Sequence, residues 1–183
     1  MKTLVIYPPC LDNPFLIYIG AREKDAEATK RWSRLKAELM ERGVILASYI
    51  CPETVLDGWP RPPAGMEEYV GRIPEGIVEY IKRIVEDVRP EKLVIIGARK
   101  SPVCGVTKTA SGSVPDEFAE KFRRANMEER QRMKKEASKY VRIVNGPGAL
   151  METLIEEFPN ATFIDFSKSE WEKFEDTLRS LVL

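Results

Sequence analysis

The sequence predicts an α/β fold: a three-layer, Rossmann-like domain with a mostly parallel sheet of about five strands. Two observations lead to this prediction. Short apolar runs alternate along the chain with longer segments whose apolar residues recur every three or four positions, the spacing of one helix face. The clearest run, residues 93–97, is apolar apart from its closing glycine, as expected for a strand buried on both faces. Such alternation implies right-handed crossovers and a parallel sheet covered by helices.

The five predicted strands are apolar runs bounded by turn residues. They occupy residues 4–7, 44–50, 93–97, 141–144 and 162–166. The first run ends at Pro8, and the second is closed by Cys51 and Pro52, because proline cannot donate to a sheet ladder. The stretch from Glu53 to Gly76 is rich in proline and glycine and is predicted to be an extended loop.

The predicted helices follow from apolar stripes and from end signals. They lie within residues 25–42, over 77–88, over 116–138, from 148 to 158 and from 167 onward. Gly43 ends the first helix and Pro90 follows the second. Ser167 and Glu170 have the spacing of a capping box at the start of the last helix. We interpret residues 1–183 as one domain.

Length and charge describe an ordinary globular chain. The 183 residues are enough for one well-buried domain and few for two. Lysine and arginine together equal aspartate and glutamate at 29 each, so no net charge calls for nucleic acid or for an anionic membrane. No apolar run is long enough to cross a bilayer, and the first strand is too short for the core of a signal peptide. The expected location is the cytoplasm.

Two features of the composition narrow the chemistry. The chain has no histidine, which excludes a histidine-based triad, a histidine-rich zinc site and a haem with a proximal histidine. It has three cysteines, an odd number spread widely along a chain without an export signal, so a disulfide framework is not expected. Inside a reducing cell, thiols can bind a metal, act as nucleophiles or fill the core.

The cysteines Cys10, Cys51 and Cys104 each follow one of the first three predicted strands. Rossmann-like sheets bind ligands at the carboxyl ends of their strands, so one convergent site is expected, although a single cysteine can also be a small core residue. Three thiolates fall one short of a closed zinc site, whereas an iron–sulfur cluster would keep one iron open. Arg99 and Lys100 could offset its negative charge, or could lie in a solvated loop.

Two segments resemble a known family. Cys51–Pro52–Glu53, followed by Gly58, Pro60 and Pro63, resembles the C-P-E…G…P segment of the thiouracil desulfidase-like family. Residues 101–105, Ser-Pro-Val-Cys-Gly, are similar to its S-P-x-C-G signature, and Cys10 stands where the family has its first cysteine. Residues 146–150 loosely resemble its G-x-G segment. The chain departs from the family around Cys10, which follows two prolines, and at residues 111–113, where a glycine-rich stretch is shortened.

The resemblance implies a function and a cofactor. Cys10, Cys51 and Cys104 would hold a [4Fe-4S] cluster whose open iron accepts sulfur from a thiolated pyrimidine or a similar thiocarbonyl compound. Without histidine, the acid–base candidates are carboxylates, and Glu53 is the first choice; Ser101 could orient it or relay a proton. The plainer interpretations are an exposed loop carboxylate or a cap for the next turn in the case of Glu53, and a turn residue before Pro102 in the case of Ser101.

Other functions stay open at this point. Residues 146–148 could begin a helix that binds a nucleotide or a phosphate, although no G-x-G-x-x-G or Walker motif is present. A non-catalytic metal-binding domain and a metal-free thiol or sulfur-transfer protein are further alternatives, the last without a C-x-x-C pair.

The expected partner is a small thiolated molecule, not a membrane. The neutral charge disfavours RNA but leaves thiolated RNA open. The charged helix 116–138 could be a lid, a homodimer contact or a solvated face. Trp59, Arg61 and Tyr69 could stack on a base or pack against their own domain.

Overall fold

A computed structural model describes residues 1–16, 23–58 and 60–183. The strands are β1 Thr3–Tyr7, β2 Ile45–Ser48, β3 Lys92–Ala98, β4 Lys108–Gly112, β5 Val141–Asn145 and β6 Thr162–Phe166. The helices are α1 Glu23–Glu41, α2 Pro52–Asp57, α3 Glu75–Val88, α4 Asp116–Arg124, α5 Met127–Ala137, α6 Ala149–Glu157 and α7 Trp171–Val182. Short 3-10 helices cover Pro9–Leu11, Pro14–Leu16, Met66–Glu68 and Lys168–Glu170.

The central sheet has four parallel strands in the order β2-β1-β3-β6. In its middle, Ile6 of β1 pairs with Ile95 of β3, and Ile95 in turn pairs with Phe163 of β6. The inner strands β1 and β3 carry the apolar runs that the sequence shows most clearly. The outer strand β2 is only partly buried, because an edge strand has one neighbour.

Successive side chains of β1 and β3 point to opposite faces of the sheet, and each face has its own core. Val5 and Val94 pack against α1 and α7 on one face, and Leu4 and Ile95 pack against α3 and α6 on the other. The predicted three-layer α/β architecture is therefore confirmed.

The predicted count of five parallel strands is wrong. The strand predicted at residues 141–144 forms β5, but it pairs antiparallel with β4 in a separate two-stranded sheet, the β4–β5 ribbon. Arg142, Ile143 and Asn145 of β5 are exposed, Ile143 by 47%, which suits a solvent-facing ribbon and not a strand covered by helices on both faces. Strand β4, Lys-Thr-Ala-Ser-Gly, has no apolar run that could have predicted it.

Two segments have a different secondary structure from the one predicted. The stretch from Glu53 to Gly76 is not wholly extended, because it begins within α2, where Pro52 takes the first helical position that proline favours. The long helix predicted at 116–138 is two helices, α4 and α5. Asn126 separates them: its side chain accepts from the N–H of Glu129, and the Glu129 carboxylate accepts from the N–H of Asn126, a complete capping box.

The capping box predicted at Ser167 does not form. The Ser167 hydroxyl lies 3.0 Å from that of Ser169, and the Glu170 carboxylate accepts from Arg99 instead. The chain turns once as a 3-10 helix before α7 begins at Trp171. Glu170 thus contacts Arg99, the residue that follows β3, and does not cap the helix.

Within the part of the chain that the structure describes, no helix combines the length and the apolar character that a membrane crossing requires.

Asp12 ties the loop after β1 to helix α1. Its carboxylate accepts from the Tyr7 hydroxyl at 2.8 Å and from the Trp32 indole N–H at 3.0 Å, and it pairs with Lys36. Trp32 is fully buried, so its N–H has no water to replace this partner. This contact holds the short helix that carries Cys10 against the core.

We expect Asp12→Ala to lower the free energy of unfolding by about 2 kcal/mol, because it leaves a buried indole N–H unpaired. Urea unfolding followed by circular dichroism at neutral pH measures the change. Asp87→Ala, at an exposed carboxylate on α3, is the control and should shift stability by no more than about 0.5 kcal/mol. Equal losses in the two variants would contradict the role of Asp12.

Candidate functional site

The three cysteines follow three neighbouring strands. Cys10 lies in the 3-10 helix after β1, Cys51 immediately precedes α2 after β2, and Cys104 lies in the turn after β3. Since the sheet order is β2-β1-β3, these three loops are adjacent at the carboxyl edge of the sheet. This is the edge at which parallel α/β sheets bind their ligands.

The thiols act on one another electrostatically. Burial raises the pKa of Cys10 to about 12, and Cys51 contributes to that rise. Burial, then Glu53 and then Cys51 raise the pKa of Cys104 well above its ordinary value, with a smaller contribution from Cys10. Cys104 is buried and the other two are partly buried. The three side chains therefore share one environment, which disfavours negative charge on Cys10 and Cys104 unless a cation compensates it.

The turn that carries Cys104 is held by Ser101. The Ser101 hydroxyl oxygen accepts from the backbone N–H of Cys104 at 2.9 Å and of Val103 at 3.2 Å. The N–H of Gly105 donates to the Ser101 carbonyl at 3.1 Å, and the Cys104 carbonyl accepts from Ala98 at 2.8 Å. These bonds fix the position of Cys104 relative to the end of β3.

Gly97 permits this turn to fold back on β3. A Cβ atom at Gly97 would stand 2.2 Å from the Cys104 carbonyl oxygen and 2.7 Å from a methyl group of Val106. Any other residue would push the turn, and Cys104 with it, away from the strand. The absence of a side chain is therefore a condition for the geometry of the site.

Helix α6 binds the same turn through its N-terminus. Gly148 N–H donates to the Gly105 carbonyl at 2.8 Å, Ala149 N–H to the Pro102 carbonyl at 3.0 Å and Leu150 N–H to the Val103 carbonyl at 3.0 Å. A helix N-terminus can hold a phosphate only when its N–H groups are available. Here carbonyls of the chain occupy these donors, so residues 146–148 position Cys104 and do not form a phosphate cradle.

Glu53 and Ser101, the two candidate catalytic residues, contact each other. The Ser101 hydroxyl donates to Oε1 of Glu53 at 2.9 Å. Because the same hydroxyl oxygen already accepts two backbone N–H bonds, its proton is directed at the carboxylate. Glu53 is 6% exposed on the first turn of α2, so it is not the exposed loop carboxylate that was one of the plainer interpretations.

Arg61 completes the arrangement. Its Nη1 lies 2.5 Å from Oε2 of Glu53 and 3.4 Å from Sγ of Cys51. Arg61 is 8% exposed, and burial opposes its charge, but Glu53 and then Cys51 outweigh burial and raise the pKa of the guanidinium. Each oxygen of Glu53 thus has its own donor, Ser101 on one side and Arg61 on the other.

Tyr49 reaches the third thiol. It is 2% exposed at the end of β2, and its hydroxyl donates to the Ile96 carbonyl at 3.4 Å. Burial raises the pKa of Tyr49, and its contact with Cys104 adds to the rise. The phenol therefore lies beside Cys104, as Arg61 lies beside Cys51.

The sequence did not identify these two neighbours of the thiols. The sequence suggests Arg61 only as a residue that could stack on a base. No motif links it to Cys51, because the contact depends on the path of the loop over the ten positions between them. Tyr69 is 1% exposed, donates to Asp57 at 2.6 Å and packs against its own core, whereas Trp59 lies outside the described residues.

The countercharges expected at Arg99 and Lys100 are engaged elsewhere or exposed. Arg99 forms an ion pair with Glu170 at 2.5 Å, and Lys100 is an exposed residue in left-handed backbone. The cations that oppose the raised pKa of Cys10 are Arg61 and Lys168.

Over residues 1–16, 23–58 and 60–183, no group of three or more cysteine, aspartate or glutamate side chains is arranged so that it could hold a metal ion.

Comparison with known proteins agrees with these features. No curated protein and no solved structure matches the chain. The family model described as "Putative 2-thiouracil desulfurase" matches residues 1–183, the whole of the sequence given. Because the match extends over the whole of this sequence, the chain belongs to the 2-thiouracil desulfurase family that this model describes.

Proposed function

We propose that the protein removes sulfur from a thiolated pyrimidine, or from a similar thiocarbonyl compound, with a [4Fe-4S] cluster held by Cys10, Cys51 and Cys104. The observation that supports this most directly is the buried Glu53–Arg61 pair, which contacts Cys51 at an edge shared by the three thiols. The overall reaction would convert the thiocarbonyl and water into a carbonyl and hydrogen sulfide, with no net change of oxidation state.

The donor set suits a cluster better than a single ion. A structural zinc site brings four ligands to about 2.3 Å from one ion, and this chain offers it three thiols and no histidine, so the fourth ligand would have to be a carboxylate. A cluster instead attaches each thiolate to a different iron, so its ligands need not crowd one point. Soft thiolates without histidine are the usual ligands of such clusters. When bound, the cluster would supply an open, Lewis-acidic iron for a soft thiocarbonyl sulfur.

The protein side of the chemistry is proton transfer and orientation. Glu53 would accept a proton from the attacking water and return it to the departing sulfur. Oε1 is the better proton acceptor of its two oxygens, because it faces the neutral Ser101 hydroxyl whereas Oε2 faces the Arg61 cation. Ser101 fixes the orientation of the carboxylate and could pass the proton through its own hydroxyl.

The alternatives are weaker on these contacts. A metal-free nucleophilic thiol needs a thiolate, and burial raises the pKa of Cys10 and Cys104, so this alternative would have to rest on Cys51 beside Arg61 and would leave the other two thiols without a role. A phosphate or nucleotide at residues 146–148 would compete with the carbonyls that already bind the start of α6.

We place the protein in the cytoplasm, where reducing conditions keep thiols available as ligands.

The experiment that tests the proposal is anaerobic purification followed by incubation with 2-thiouracil. We expect a brown protein with iron and acid-labile sulfide in equal amounts, which releases sulfide and forms uracil. Colourless protein that contains zinc, or cluster-loaded protein that leaves a panel of thiolated bases and nucleosides unchanged, would contradict the proposal. Protein prepared in air is not used, because a cluster with an open iron is easily lost.

We expect Glu53→Gln to keep its cluster while the rate of sulfide release falls by about 100-fold or more, because the amide cannot accept the proton. Iron content and visible absorption verify the cluster, and colorimetric sulfide detection gives the rate. Glu152→Gln, at an exposed glutamate on α6, is the control and should behave as wild type. Unchanged turnover in Glu53→Gln would remove Glu53 from the acid–base role.

A further inference from the structure

Two buried charges lie side by side in this protein. Among the residues that the structure describes, Glu53 and Arg61 are the charged residues buried from solvent, at 6% and 8% exposure. Burying a charge is costly, so each needs a partner, and the contact between Nη1 and Oε2 at 2.5 Å supplies one. The same Nη1 also donates to Cys51 Sγ at 3.4 Å. Arg61 therefore does more than neutralise Glu53.

The charge of the site requires such a cation. Three thiolates on an oxidised four-iron core carry a net negative charge, and the Glu53 carboxylate adds to it. Of the cations that the sequence suggested, Arg99 is paired with Glu170. Among the residues that the structure describes, Arg61 is the buried cation with a hydrogen bond to a cysteine sulfur, and a charge interaction is strongest where water is excluded.

We propose that Arg61 is a positioning residue for the cluster: its guanidinium stabilises negative charge on the Cys51 sulfur, raises the reduction potential and slows the loss of iron. A hydrogen bond or a positive charge at a ligand sulfur favours the reduced, more negative state of a cluster. The inference rests on the proposed function, since it concerns the group that the three cysteines would hold.

The test compares Glu53→Gln with the double variant Glu53→Gln/Arg61→Gln. Arg61→Gln alone would leave the buried Glu53 carboxylate without its cation, whereas in the Glu53→Gln background the amide oxygen that replaces the carboxylate can still accept from Arg61. Circular dichroism first shows that each variant is folded. Two quantities are measured on cluster-loaded protein: the reduction potential, by a titration followed with electron paramagnetic resonance, and the rate of anaerobic iron release to a ferrous chelator.

We expect the double variant to have a more negative potential than Glu53→Gln and to release iron about tenfold faster, as is usual when a neighbour of a metal ligand is removed. Glu53→Gln/Arg61→Lys keeps the positive charge and should remain close to Glu53→Gln in potential. Arg72→Gln, at an exposed arginine of the same loop, should match wild type in both measurements.

The outcomes separate this inference from the proposed function. Equal potentials and equal release rates in Glu53→Gln and the double variant overturn the role of Arg61 alone. If the reduction potential of Glu53→Gln/Arg61→Lys is as negative as that of Glu53→Gln/Arg61→Gln, the effect of Arg61 is not due to its charge. Wild-type protein that takes up no cluster overturns the proposed function, and this inference with it.

Discussion

Replacing any one of Cys10, Cys51 and Cys104 by serine is expected to abolish cluster binding and, with it, sulfide release from 2-thiouracil. Serine keeps the size of the side chain but offers a hard oxygen that is a poor ligand for iron in a cluster. The chain has three cysteines in all, so no other thiol can take over. Iron and acid-labile sulfide per chain, measured after anaerobic reconstitution, give the result.

Burial provides an internal control for this series. Cys104 is 6% exposed, so Cys104→Ser buries a hydroxyl and should cost the apo protein about 1–3 kcal/mol of unfolding free energy. Cys51 is only partly buried, and its serine variant should cost less. If Cys104→Ser and Cys51→Ser lose iron equally but lose stability unequally, the loss of iron results from a missing ligand and not from unfolding. Full iron retention in one variant would remove that cysteine from the ligand set.

Gly97→Ala is expected to destabilise the protein by about 2–3 kcal/mol and to lower its iron content. The new Cβ would stand 2.2 Å from the Cys104 carbonyl oxygen, so either β3 or the turn must move. The Ala98–Cys104 backbone hydrogen bond would weaken, and the Cys104 sulfur would move with its backbone. Urea unfolding of the apo protein and iron analysis of the loaded protein measure the two effects separately.

Gly76→Ala is the matched control. Gly76 lies in the first turn of α3, and a Cβ there would meet nothing within 4 Å. Alanine restricts the unfolded chain and should leave stability unchanged or raise it by about 0.5 kcal/mol. If Gly97→Ala behaved like Gly76→Ala, the close approach of the Cys104 turn to β3 would be disproved.

The parts of the fold that the sequence predicted are those with a strong hydrophobic pattern. The run at residues 93–97 lies within β3, buried on both faces, and the strand predicted at 162–166 is β6. Strand β4 could not be predicted, because it is held by backbone bonds to β5 and has no apolar run. The break at Asn126 was missed because the polar pattern of α4 continues through α5.

The candidate site divides in a similar way. Cys10, Cys51 and Cys104 could be brought together from sequence, because strand ends of a parallel sheet meet at one edge. The contact between Ser101 and Glu53 joins residues 48 positions apart, and that between Arg61 and Cys51 depends on the path of one loop. Neither contact can be predicted from nearby residues. The spacing of apolar residues within a helix or strand indicates which of its faces is buried, but it does not indicate which loops contact each other.

The β4–β5 ribbon has a consequence for the order in which the chain assembles. It lies within the long segment that separates β3 from its neighbour β6, and the bond from Gly146 N–H to the Thr107 carbonyl at 3.0 Å joins the two ends of that excursion. Phe122 and Met133 belong to a small core within the same segment. If these local contacts form first, β6 meets β3 across a shorter effective loop and at a smaller entropic cost. The last strand and α7 can then dock as a closing step.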